Sequence, residues 1–199
     1  AVGYTCILSS GGMDLSVGEL ISLTGVVYSL ASKAYPLWIA VLVGIMVAVT
    51  AEFINSFLVR FFTIPGFITT LGMGLIFKSI TYIITEGKAV TDLTDEVKWF
   101  GQGIVKGIPT PFIIAVLCTI VYWVIINKTL LGRYILATGG NEEAAKVSGI
   151  KVNLIRIMAH CVGGICIGLG AIALTGRVGS AGAEAGTGFT MDCIASVVI

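Results

Sequence analysis

Charged residues punctuate an otherwise apolar chain. Residues 34–51, 61–77, 107–127 and 157–176 contain no Asp, Glu, Lys or Arg. A helix that crosses a bilayer needs roughly 20 mostly apolar residues, with about 17 as the lower limit. The pattern therefore predicts membrane-spanning helices near 36–57, 64–85, 109–127 and 154–175. A shorter apolar run at 20–32, extended back through Ser16, predicts a fifth near 15–32. Composition agrees: 56% of residues are hydrophobic and only 12% are charged, about half the roughly 25% of soluble domains. Mean hydropathy is +1.01. Together these values exclude a soluble globular domain and a disordered chain. A net charge of +1 leaves no electrostatic footprint for nucleic acid. The fold class expected is an all-α polytopic transmembrane bundle.

The chain starts at Ala1 and stops at Ile199 inside apolar stretches. Backbone groups in hydrocarbon must be paired internally, so the expectation is a fragment of a longer membrane protein, truncated at both ends. No basic region and cleavage site precede the first apolar stretch, so nothing reads as a signal peptide.

Two polar segments flank the span at 109–127 and must lie on opposite sides of it. Residues 86–107 hold Lys88, Lys98 and Lys106 against four acids, and residues 128–156 hold Lys128, Arg133, Lys146, Lys151 and Arg156. The positive-inside rule places 128–156 in the cytoplasm and 86–107 outside. Over all loops the difference narrows to six basic residues against five. Trp99 and Phe100 suit an interfacial or docking segment on the outer side.

Within 128–156, Asn141 is placed to cap a short helix over 142–148. Glu142 and Glu143 suit its positive end and Lys146 its negative end. Gly149 suits the left-handed residue that stops it. Two turns do not persist alone in water, so packing must hold them, and Ala144, Ala145, Val147 and Ser148 would let another surface approach. An ordinary capped loop helix carries the same pattern.

Glycines also break the first apolar run. In Gly11-Gly-Met-Asp-Leu-Ser-Val-Gly18, Ser16 and Glu19 have the spacing of a capping box, with Asp14 an alternative cap. A break flanked by apolar sequence predicts a discontinuous helix inside the membrane, tolerated only where it is buried or lines a wet cavity. The segment from Gly186 to Asp192 repeats this grammar, and paired breaks can mark an internal repeat around a translocation path. Gly11, Gly12, Asp14, Ser16 and Asp192 are the path candidates.

Other ionisable groups in the spans are few. Glu52, near Asn55, is expected to snorkel or cap; Lys78 to reach an interface or a buried partner; His160 to be a hydrogen-bonded packing residue. Gly164 and Gly168 form a close-packing face. Cys6, Cys118, Cys161, Cys166 and Cys193 show no ligand spacing and read as packing residues; no metal site or catalytic residue is expected. The sole Gly-Lys pair, Gly87-Lys88, is followed by alanine, so no P-loop is recognisable.

These motifs resemble a known family. Gly11-Gly-Met-Asp-Leu-Ser-Val-Gly18, Phe67-Ile-Thr-Thr-Leu-Gly72, Leu131-Gly-Arg-Tyr134, Gly139-Gly-Asn-Glu-Glu-Ala-Ala145 with Ser148-Gly-Ile150, and Ala185-Gly-Thr-Gly188 with Asp192 are similar to the permease subunits of bacterial ABC importers of the ribose/xylose/galactose type. The motifs occur in the family's order along nearly the whole chain. The resemblance implies a coupling helix near 141–150, in which Asn141, Glu142, Glu143, Ala144, Ala145 and Gly149 meet the ATPase. It places 86–107 on the side that meets a sugar-binding protein. It also implies a second permease copy or paralogue, cytoplasmic ATPase subunits that hold Mg-ATP, and location in the bacterial cytoplasmic membrane; no cofactor belongs to this chain. Family members carry one further helix before this segment and several after it. Two other readings stay open: a permease for a nucleoside, an amino acid or a furanosyl signalling molecule, and an ion-coupled secondary transporter using Asp14 or Asp192. A non-transporting assembly subunit is a weaker third.

Overall fold

The computed structural model of the chain describes residues 1–198. Its elements, in order, are α1 (Val2–Ser9), α2 (Val17–Ala34), α3 (Leu37–Phe61), α4 (Gly66–Thr85) and α5 (Asp95–Gln102), then a hairpin of β1 (Ile104–Val105) and β2 (Ile108–Pro109). After it come α6 (Thr110–Lys128), α7 (Leu130–Gly140), α8 (Glu142–Val147), α9 (Val152–Val178) and α10 (Phe189–Val198). The chain is an all-α bundle, as expected.

Among the described residues, four helices, α3, α4, α6 and α9, are long and apolar enough to cross a membrane. They are the four spans that the charge-free runs predict. All four prolines sit at the starts of three of them: Pro36 caps α3, Pro65 caps α4, and Pro109 and Pro111 open α6. Proline is tolerated there because its missing N–H would have no intrahelical partner anyway.

The fifth expected span differs. A helix is present, displaced to Val17–Ala34, but it is not among those apolar enough to cross by composition. Eleven of its 18 residues are buried, including Ser22, Thr24, Gly25 and Ser29. α2 packs against α3, α4 and α9, so protein, not lipid, surrounds it. A helix screened from lipid needs close packing more than hydropathy. The lipid-facing helices show the opposite pattern: α6 buries only Thr110, and α3 exposes Trp38, Leu42, Met46 and Phe57.

The α3–α9 contact uses the predicted glycine face. A Cβ on Gly164 would lie 2.9 Å from the Val49 Cα and 3.0 Å from the Ala48 carbonyl oxygen; one on Gly168 would lie 3.1 Å from the Ile45 Cα. Backbones meet there, as small residues allow.

The two polar segments hold more structure than the residue pattern predicts. In 86–107, α5 docks on the end of α9, with Val97 fully buried and a Cβ on Gly176 falling 2.7 Å from the Gly101 amide nitrogen. Phe100 joins that packing, while Trp99 is half exposed and stacks edge-on to it. In 128–156, an eleven-residue helix, α7, precedes the expected short one. Thr129 starts α7 by accepting the Gly132 N–H at 3.2 Å. Gly139 and Gly140 form its last turn.

Candidate functional site

The break between α1 and α2 is where polar groups collect. α1 ends at Ser9, and the chain turns through Gly11 at φ 76°, a conformation that costs other residues about 1–2 kcal/mol. The Gly12 N–H donates to the Ile7 carbonyl at 3.1 Å. Asp14 then accepts both the backbone N–H of Ser16 at 2.8 Å and its hydroxyl at 2.7 Å. The Ser16 oxygen in turn accepts from Asn55 Nδ2 at 2.8 Å. Asp14, Ser16 and Asn55 are all fully buried.

The expected capping box does not form. Ser16 has helical backbone angles, φ −93° and ψ −1°, and makes no side-chain cap bond. A capping serine needs extended angles to aim its oxygen at the next turn. Asp14 orders the entry instead, through a local Asx-type turn.

Beside this turn lies a buried pair. His160 Nδ1 on α9 and Glu52 Oε2 on α3 are 2.7 Å apart. Glu52 neither snorkels nor caps: it sits well inside α3 and is fully buried, because α9 supplies the histidine. His160 is the hydrogen-bonded packing residue expected. A Cβ on Gly12 would lie 3.1 Å from its Nε2, so the ring bridges α3 and the break. Asp14 Oδ2, Glu52 Oε1 and Asn55 Oδ1 are buried with no protein partner among the described residues. The structure thus brings Gly11, Gly12, Asp14 and Ser16 into one cluster with Asn55, Glu52 and His160.

Asp192 does not join it. It lies exposed in the first turn of α10. Its segment nevertheless reaches the start of α2: the Gly18 N–H donates to Thr190 Oγ1 at 2.9 Å, and the Gly186 N–H donates to Ser22 Oγ at 2.8 Å. A Cβ on Gly186 would overlap the Gly18 carbonyl. The two broken segments therefore meet backbone to backbone. Lys78 finds its partner on the same stretch, pairing with Glu184 at 3.0 Å.

At the end of the bundle where α7 meets α9, α8 forms as the pattern predicts. Asn141 Oδ1 accepts the Ala144 N–H at 2.9 Å, and Gly149, at φ 82°, ends the helix while the Ile150 N–H reaches the Ala145 carbonyl at 3.0 Å. Ala145 faces inward. Glu143, Ala144, Val147 and Ser148 face out, with Val147 90% exposed. Glu142 holds the underside. Its Oε1 is 2.7 Å from Lys146 Nζ and its Oε2 is 2.6 Å from Arg156 Nη2. The bond from Lys146, with that from Arg156, keeps the Glu142 carboxyl below the usual carboxylate range, so both pairs persist at neutral pH.

Asn141→Ala removes one cap bond, worth about 1 kcal/mol. Amide exchange at Ala144 is expected to speed up about fivefold, the equivalent of that loss. Unchanged exchange would mean that packing alone holds α8.

Residue reasoning missed Arg156, which it counted only as loop charge, and the Glu52–His160 pair. The residue pattern marks both as ionisable groups within spans, but with Lys78 and Asp14 also present it does not say which partner either takes.

A family model for the permease component of the branched-chain amino acid transport system matches residues 1–199. The chain belongs to this family. Among its relatives, the ribose import permease protein of Escherichia coli (strain K12) is 37% identical, covering all of the chain and 64% of the relative. The galactofuranose transporter permease protein of the same strain is 33% identical, covering all of the chain and 59% of the relative. Its D-allose transport system permease protein is 35% identical over 94% of the chain and 58% of the relative. The chain thus spans under two thirds of the length of these relatives. No solved structure matches it.

Proposed function

We propose that the full protein is the membrane-spanning permease subunit of an ABC importer that carries a monosaccharide across the bacterial cytoplasmic membrane. The observation that carries this reading is α8. It is a short helix capped at both ends, pinned from beneath by Glu142 and presenting Glu143, Ala144 and Val147 outward. Such a rigid knob at one end of a helical bundle suits docking to a separate motor. In this reading residues 141–150 meet the ATPase, which binds Mg-ATP, and 86–107 face the binding protein. The cargo class is carried over from relatives named for ribose, galactofuranose and allose. Neutral, hydroxyl-rich cargo needs no paired counter-charge. Gly11, Gly12, Asp14 and Ser16 shape the break beside the path, with Asp192 a more distant member. A second permease copy or a paralogue completes the pathway.

The test uses single cysteines in an otherwise cysteine-free full-length protein. Lys98→Cys should react with a membrane-impermeant thiol reagent outside intact spheroplasts. Lys146→Cys should react only after the membrane is opened, and Glu143→Lys should lose co-purifying ATPase and uptake of labelled ribose. The reverse labelling pattern would invert the topology. Ribose uptake driven by an ion gradient without ATP would replace the ABC reading with a secondary transporter.

A further inference from the structure

Arg156 stands at the first turns of α9 and touches two elements that are far apart in sequence. Its side chain is 9% exposed. Nη2 pairs with Glu142 of α8 at 2.6 Å. Nε donates to the Ser10 carbonyl, in the break, at 2.9 Å. A Cβ on Gly11 would lie 3.2 Å from Nη2, so the guanidinium abuts the left-handed turn. A second contact joins the same two regions: Gly139, two residues before the α8 cap, packs its backbone on Ser9 and Gly11.

The charges near this guanidinium are Glu142 with its partner Lys146, Arg60 on α3, and His160 one turn further along α9. Glu142 is the one acid that pairs with it among the described residues. Breaking that pair while Arg156 stays buried would leave a charge without its counter-charge, which is strongly unfavourable. The fork geometry of a guanidinium can hold two partners in fixed relative positions, and an ammonium cannot. One side chain thus ties α8 to the Ser10 carbonyl. Beyond Ser10 in the same break lie Gly12, which faces His160, and Asp14.

We infer that Arg156 is the positioning residue that transmits movement of α8 to the intramembrane break at Ser10–Asp14. The inference rests on the reading of α8 as the ATPase-facing element. The experiment uses the full-length permease reconstituted with its ATPase. A nitroxide is attached at Met13→Cys, in the break, or at Ser148→Cys, beside α8, with native cysteines replaced by alanine. Spectra are taken with and without Mg-ATP, and uptake of labelled ribose per ATP hydrolysed is measured alongside.

In the parent protein both labels should respond to Mg-ATP. With Arg156→Met, the label at 148 should still respond, the label at 13 should fall silent, and uptake per ATP should drop at least tenfold. Arg156→Lys, which keeps one contact at a time, should fall between. Should Arg156→Met not accumulate, Arg156→Lys decides by the same readings. A label at 13 that responds as in the parent, with parental uptake per ATP, overturns the role of Arg156. A label at 148 that ignores Mg-ATP in the parent overturns the reading of α8 itself.

Discussion

Gly139→Val is expected to prevent accumulation of the folded protein, while Gly140→Val at the next position leaves it near the parental level. The two glycines end the same helix. A Cβ at 139 would overlap the Ser9 carbonyl oxygen, and would lie 2.9 Å from the Ser9 carbonyl carbon and 3.2 Å from the Gly11 nitrogen. Those atoms belong to backbone held by its own hydrogen bonds, so no flexible side chain can yield. The end of α7 would have to lift off the break. A loss of more than about 4 kcal/mol is expected, the range reserved for named packing failures. At 140 nothing lies within 4 Å of the added carbon, and valine is no worse than glycine in a helix. Membrane abundance and detergent melting of the two full-length variants provide the comparison. Equal behaviour would mean that α7 does not pack on the break.

The second large effect is at Glu52. Glu52→Ala should destabilise the bundle by about 3–5 kcal/mol, because it strands a buried partner in addition to opening a cavity. The stranded group is His160 Nδ1, 2.7 Å from the carboxylate oxygen in the intact pair. Glu52→Gln keeps the volume and a hydrogen-bonding oxygen, and should cost about 1–2 kcal/mol. Thermal unfolding of the full-length protein in detergent, with parental protein alongside, separates the two. If alanine is tolerated as well as glutamine, the pair contributes packing volume and little else.

Both predictions concern contacts that residue patterns conceal. Glu52 and His160 lie 108 positions apart, and nothing local to either one points to the other. Gly139 and Gly140 are equivalent in the sequence and opposite in the fold. The capping box at Ser16 satisfied the spacing rule and failed, because Asn55 and Asp14 claim the serine oxygen and the backbone there is already helical. α7 was hidden because its residues lie inside a segment that its charges mark as a connection, and the glycine in its last turn serves a tertiary contact with the break.

The amino-acid sequence by itself determined what depends on solvent and on local backbone chemistry. Transfer of long uncharged runs out of water placed α3, α4, α6 and α9. A side-chain oxygen three residues from a free N–H placed the start of α8, and a residue free to take positive φ placed its end. Those energies are set within a few residues of chain. Tertiary structure alone decided which distant polar groups share the interior: Ser16 with Asn55, Glu52 with His160, and Arg156 with both Glu142 and Ser10. A buried polar group must find a partner wherever the packed helices bring one, and that depends on the relative rotation and depth of whole helices, which no local pattern encodes.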